Sequence, residues 1–187
     1  MKDALVFLID TFARLYLLIL LLRLWLPLLR ANFRNPVAQG VLRYTSPLVV
    51  PVRRFVPSIG RVDAATILVT LVLQMLANAV VMLIHVGVGA IDRISTDFLA
   101  FTGSALVDLA LLSVWLFIIA LVIRVIFSYM GRSFGPPAEL LNELTEPLIR
   151  PIRRVIPPLG VIDLSTYITF VLLIALSMAL GDLRPVY

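Results

Sequence analysis

The side chains able to do chemistry in this 187-residue chain are few and oddly placed. Asp10 and Asp108 stand inside long apolar stretches, where a carboxylate costs about 2.5–3.5 kcal/mol even on a lenient insertion scale. Arg14 follows Asp10 at i+4, a ready intrahelical partner; Asp108 has no such neighbour and could bind a cation, hold a proton or pair with Arg14 across a bundle. The other concentration of charge is the doublet Arg53-Arg54 and its counterpart Arg153-Arg154, each set among prolines and aliphatics. A guanidinium binds phosphate and carboxylate bidentately and tolerates a low-dielectric interface better than an ammonium does. Chemistry that needs more is missing. There is no cysteine and one histidine, His85, so disulfides, thiolate nucleophiles and sites built from several imidazoles are excluded. No H-E-x-x-H, P-loop or G-x-G-x-x-G occurs, and a paired-carboxylate reaction on Asp10 and Asp108 has no supporting motif. The expectation is a protein that is not an enzyme and carries no cofactor and no metal.

The elements that must position these residues are membrane spans. Hydrophobic residues make up 61 % of the chain and charged ones 14 %, against about 25 % in a soluble domain. The mean hydropathy is +1.05. Four stretches reach the roughly 17–25 apolar residues that cross a bilayer: about 4–29, 64–88, 98–127 and 164–180. The first holds Asp10, Arg14 and Arg23 and lacks a small-x-small cleavage site, so it reads as a retained span. Arg30, Arg34, Arg43, Arg53, Arg54 and Arg61 lie between spans one and two, and Arg132, Arg150, Arg153 and Arg154 between spans three and four. Lys2, Arg93 and Arg184 are on the opposite side. The positive-inside rule then places both long connections in the cytoplasm and both termini outside.

The two basic connections are copies of each other at a separation of 100 residues. T-S-P-L-V-V-P-V-R-R-F-V-P-S-I-G-R-V-D-A-A-T from Thr45 matches T-E-P-L-I-R-P-I-R-R-V-I-P-P-L-G-V-I-D-L-S-T from Thr145 at ten of 22 positions without a gap. The identities include Pro47/Pro147, Pro51/Pro151, Arg53/Arg153, Arg54/Arg154, Pro57/Pro157, Gly60/Gly160 and Asp63/Asp163. The chain is therefore two units of span, basic segment, span, divided near 1–97 and 98–187. An even number of spans per unit makes the repeats parallel, related by an axis along the membrane normal. The predicted fold is an all-α membrane protein with four transmembrane helices, and any ligand would sit near that axis.

The doubled P-L-x-x-P-x-R-R-x-x-P-x-x-G-x-x-D signature, preceded by Asn35-Pro36 in the first copy, resembles the YggT family, called YlmG in Gram-positive bacteria and plastids. The resemblance covers nearly the whole chain. It implies a small multi-pass protein of the bacterial inner membrane, in a family linked to envelope or osmotic stress, ion uptake, division and, in plastids, cytochrome assembly. The second copy departs from the first: Gly135-Pro136 replaces Asn35-Pro36, and Glu139, Glu143 and Glu146 add acid.

Leu48, Val49, Val52, Phe55, Val56 and Ile59 fall on one helical face, repeated by Leu148, Ile149, Ile152, Val155, Ile156 and Leu159, with the arginine doublets opposite. This predicts a short amphipathic helix of about two turns lying in the headgroup layer. Pro51 and Pro151 suit its first turn or a kink, and Pro57 and Pro157 limit its far end. Gly60 and Gly160 suit a left-handed closing residue, and Asp63 and Asp163 the N-cap of the next span. Pro47 and Pro147 belong to the same structural motif. Arg23 and Arg124, near the ends of spans one and three, are expected to snorkel. Gln74 and Asn78 are expected to join helices by hydrogen bonds, His85 to be interfacial, and Gly87 and Gly89 to form a flexible exit.

Two functions follow. In the first, Arg53, Arg54, Arg153 and Arg154 hold anionic lipid headgroups or an acidic membrane or cytoplasmic protein, making the chain a scaffold or assembly factor in envelope or osmotic stress. In the second, Asp10, Arg14 and Asp108 handle potassium or protons, which in so small a bundle calls for a homo-oligomer. Nucleic acid is not an expected partner, because the basic segments are nearly free of aromatics for base stacking.

Overall fold

The computed structural model describes residues 2–58, 60–130, 135–155 and 163–184, and every described element is helical. In order they are α1 (Lys2–Leu28), α2 (Pro36–Arg53), α3 (Ala64–Val86), α4 (Gly89–Thr96), α5 (Phe98–Tyr129), α6 (Pro136–Val155) and α7 (Leu164–Asp182). Four of these, α1, α3, α5 and α7, are long and apolar enough to cross a membrane. At 1.5 Å per residue α1 extends about 40 Å and α7 about 28 Å, sufficient for a hydrocarbon core of about 30 Å with modest tilt or thinning. Many of their large side chains are exposed, Phe7, Phe12, Trp115 and Leu172 among them, as a helix meant to face lipid would have them.

The bundle is assembled from two helix pairs, α1 with α3 and α5 with α7, joined where α3 and α1 meet α5. α2 packs on α1 and α3, α6 packs on α5 and α7, and α2 and α6 touch each other, so both basic connections gather at one end. At that end Leu26, Ala31, Ala38 and Val41 bury against Leu140 and Leu144, and Trp25 meets Phe117 edge to face at 5.0 Å between ring centroids. Val49 is covered by Leu20, Ala65 and Val69, and Ile149 by Val114, Leu121 and Leu173.

The basic segments differ from their expected form. α2 has 18 residues and α6 has 20, each beginning at a proline, Pro36 or Pro136, in the first helical turn. Pro51 stands in the last turn of α2, and the chain leaves the helix at Arg54, before Pro57. The buried stripe of α2 is Ala38, Val41, Thr45 and Val49, whereas Phe55 is 86 % exposed; the apolar face is covered by the bundle and does not continue through the Arg doublet. Two prolines are tolerated because Arg43, Pro47 and Pro51, spaced by four, share the exposed face. The carbonyls that lose a donor, those of Arg43 and Pro47, can therefore be hydrated.

Other connections were also misplaced by the sequence. Gly60 does adopt φ +62°, but seven residues beyond the end of α2, as a turn in the approach to α3. Pro157 and Gly160 lie outside the described residues, as do Ile59, Ile156 and Leu159. The residue that closes α1 is Arg30, at φ +60°, with the Ala31 amide donating to the Leu26 carbonyl at 2.9 Å. Gly87, at φ +74°, ends α3, and Gly89 opens the helix α4 where a flexible exit was expected.

Candidate functional site

Asp63 precedes α3 as its N-cap, taking the Thr66 amide and, at 2.8 Å, the Thr66 hydroxyl. Ten residues earlier, at the end of α2, Arg53 donates to the same carboxylate oxygen. From α1, Arg23 approaches with its Nε 3.8 Å from Asp63, and its Nη1 donates to the Thr45 hydroxyl at 2.8 Å, the Ser46 hydroxyl at 3.3 Å and the Leu42 carbonyl at 3.3 Å. Arg23 is 4 % exposed and Thr45 is fully buried. The expected snorkelling of Arg23 is thus corrected: α2 lies across the end of α1 and supplies hydroxyl and carbonyl acceptors at a depth where reaching for water is unnecessary.

The same constellation is built from the second half of the chain. Asp163 caps α7, accepting from the Ser165 amide at 3.1 Å and the Thr166 hydroxyl at 3.1 Å. Arg153 donates to it at 2.6 Å, and Arg124 of α5 donates to the Thr145 hydroxyl at 2.7 Å. Glu146 is the addition. Its carboxylate accepts from Arg124 at 3.0 Å and from Arg153 at 3.1 Å.

The electrostatics follow from this geometry. Burial pushes the Asp63 carboxyl up, but hydrogen bonds from Arg53 and Thr66 outweigh it and hold the group below the ordinary carboxylate range. Asp163 behaves likewise through Arg153, Thr166 and the Ser165 amide. The Arg153 guanidinium is held above its ordinary value, first by its hydrogen bond to Asp163. Both capping carboxyls, Asp63 and Asp163, are therefore ionised at neutral pH.

Of the arginines expected to face a lipid or partner, Arg53 and Arg153 are committed to these internal pairs, while Arg54 and Arg154 are exposed and have no ion pair among the described residues. Asn35, which the second copy replaces by Gly135, is 4 % exposed; it caps α2 and donates to the Pro136 carbonyl at 2.6 Å, tying the start of α2 to the start of α6. Glu143 accepts from the Asn32 amide at 2.8 Å across the same seam. The signal for Arg23 and Arg124 was present in their near-equivalent positions in the two copies; what could not be read was that α2 and α6 fold back over them.

Asp10 and Asp108 do not form one cluster with Arg14. Asp10 pairs with Arg14 at 2.8 Å on its own helix, both side chains substantially uncovered. Asp108 pairs with Arg184 at 2.6 Å, and its second oxygen accepts from Asn78 at 2.9 Å, which in turn accepts from Gln74 at 2.9 Å. Arg184 follows α7 in the chain and reaches α5 only in the fold, so no spacing announced it. A half-open cavity of about 310 Å³ lies beside this pair, bordered by His85, Arg93 and Ser104. Among the described residues no group of three His, Asp or Glu side chains is arranged to hold a metal.

A family model described as CCB3/YggT matches this chain twice, over residues 2–84 and 103–184. The chain belongs to the CCB3/YggT family. It is 38 % identical over 177 residues to the "uncharacterized protein in proC 3'region" of Vibrio alginolyticus, covering 95 % of this chain and 93 % of that one. The Escherichia coli K12 protein named YggT is 32 % identical over 180 residues, 96 % of this chain and 90 % of its own length. Pseudomonas aeruginosa PA0392 is 35 % identical over 180 residues, 95 % and 88 % of the two chains. None of these names states an activity. No solved structure matches the chain.

Proposed function

We propose that this CCB3/YggT protein is a non-enzymatic multi-pass protein of the bacterial inner membrane, made of two parallel repeats, that organises anionic lipid or an acidic partner at its arginine-rich cytoplasmic end. In this reading the Arg-carboxylate clusters hold α2 and α6 in place, and the arginines left over do the binding. The observation that carries it is the set Arg30, Arg34, Arg43, Arg54, Arg61, Arg150 and Arg154: exposed, on the two basic connections, and without an ion pair among the described residues. Near an anionic surface each is worth about 1 kcal/mol. A role in envelope assembly or osmotic tolerance is the physiological setting this reading supports.

The test is lipid retention. Full-length protein exchanged into nanodiscs of mixed phosphatidylcholine and phosphatidylglycerol should enrich phosphatidylglycerol in its bound shell, and changing the seven arginines to Gln should remove most of the enrichment. Equal enrichment in the folded variant would overturn the reading. Ion handling is less supported, because Asp108 is neutralised by Arg184 and Asp10 by Arg14; potassium or proton flux in proteoliposomes that disappears in Asp108→Asn would revive it.

A further inference from the structure

The two clusters share a frame and differ in one decisive side chain. Position 146 is Glu, and its carboxylate spans Arg124 and Arg153; the corresponding position 46 is Ser. With Asp163 and Glu146 against Arg124 and Arg153, the second cluster is neutral. Asp63 alone faces Arg23 and Arg53, so the first retains one positive charge. Arg23 bears that charge at 4 % exposure, and its Nε is buried with no hydrogen-bond partner. Its Nη2, the nitrogen that Arg124 gives to Glu146, also has no hydrogen-bond partner among the described residues. A buried guanidinium with unused donors and an unbalanced charge is costly in a low dielectric. The access side is polar and open: Ser46 is partly exposed, and the Arg53 side chain is 46 % exposed.

We propose that the first cluster is an oxyanion site, in which a phosphate group enters over Ser46 and bridges Arg23 and Arg53 as the Glu146 carboxylate bridges Arg124 and Arg153. The second half of the chain thus carries its own ligand in covalent form, and the first half takes one from outside. Ser46 supplies a small hydroxyl able to donate to the anion once it turns from the Leu42 carbonyl, to which it now donates at 2.5 Å. A phosphodiester on a lipid headgroup and free inorganic phosphate present the same oxygens; the position of the cluster at the end of a span favours the headgroup. The inference rests on the proposed function in taking this end as the binding face, but it concerns different residues.

The experiment titrates delipidated full-length protein in detergent with dihexanoyl phosphatidylglycerol and, separately, with inorganic phosphate, by calorimetry. Wild type should bind one equivalent of at least one probe. Ser46→Glu, which places a carboxylate where the second cluster has one, should lower that affinity at least tenfold without lowering the melting temperature of the unliganded protein. Glu146→Ser should add a second equivalent, an independent readout should the first variant fail to fold. Binding of both probes assigns a free-phosphate site, and binding of the lipid alone assigns a headgroup site; each supports the proposal. Unchanged binding in folded Ser46→Glu, or no binding of either probe to wild type, overturns it, the latter leaving the cluster to an acidic side chain of a partner protein. The seven-arginine variant keeps Arg23, Ser46 and Arg53 and should still bind one equivalent, so failure of the lipid-enrichment reading and failure of this site are told apart.

Discussion

Asp63 joins three jobs in one side chain: it caps α3, anchors the end of α2 through Arg53, and faces the buried Arg23 of α1. Removing its charge leaves two guanidinium groups without a counter-ion, so Asp63→Asn should lower stability by about 3–5 kcal/mol. Asp163→Asn should cost clearly less, because Asp163 is 32 % exposed and Glu146 still faces both arginines. Thermal unfolding in detergent checks both; equal losses would contradict the division of labour. The pH dependence follows from the same groups. Both carboxyls titrate lower in the folded protein than in the unfolded chain, so the unfolded state binds more protons as pH falls and the stabilisation they give is lost. It is complete above the ordinary carboxylate value of about 4 and declines below it. The melting temperature should therefore be insensitive to these groups near pH 7 and fall in acid, with a shallower fall in the Asp63→Asn, Asp163→Asn double variant.

At the scale of elements, α2 and α6 are the parts whose sequence and placement most nearly conflict. Each carries two internal prolines, yet both remain helical because the unpaired carbonyls of the affected turns are on the uncovered side and the opposite side is held by buried contacts. The first turn of α2 depends on Asn35, which satisfies the Val37 amide at 2.9 Å and reaches Pro136. Asn35→Ala should cost about 0.5–2 kcal/mol for the cap and more for the lost bridge to α6, since the Pro136 carbonyl would be left without that donor. Asn35→Asp keeps the cap and loses the bridge. It should fall between wild type and Ala in thermal unfolding, and an Ala variant as stable as wild type would show that the seam between α2 and α6 does not need this residue.

For the whole molecule, the decisive arrangement is that α2 and α6 meet at one end, with Leu26, Val41, Leu140 and Leu144 between them. Because the chain has no cysteine, single introduced cysteines report sidedness without interference. Tyr44→Cys in α2 and Glu139→Cys in α6, both exposed, should react with a membrane-impermeant maleimide only from the cytoplasmic side, and Ile91→Cys in α4 only from the other. Labelling of Tyr44→Cys and Glu139→Cys from opposite sides would overturn the parallel arrangement proposed for the two repeats.

Several features needed nothing beyond the sequence. Hydropathy and length determined four helices able to cross a membrane, because a bilayer demands an uninterrupted run of apolar residues that few other environments require. Asp63 and Asp163 were readable as N-caps, since capping is local and its geometry spans only two or three residues. The helical extent of α2 was not readable, because proline propensity argues for a break that only covering by α1, α3 and α6 overrides. Nor was the pairing of Asp108 with Arg184, or the burial of Arg23 beneath Thr45 and Ser46. These contacts join residues far apart in the chain, and which acceptor a buried guanidinium meets is decided by how helices fold back over one another, a choice that no local pattern of charge or periodicity encodes.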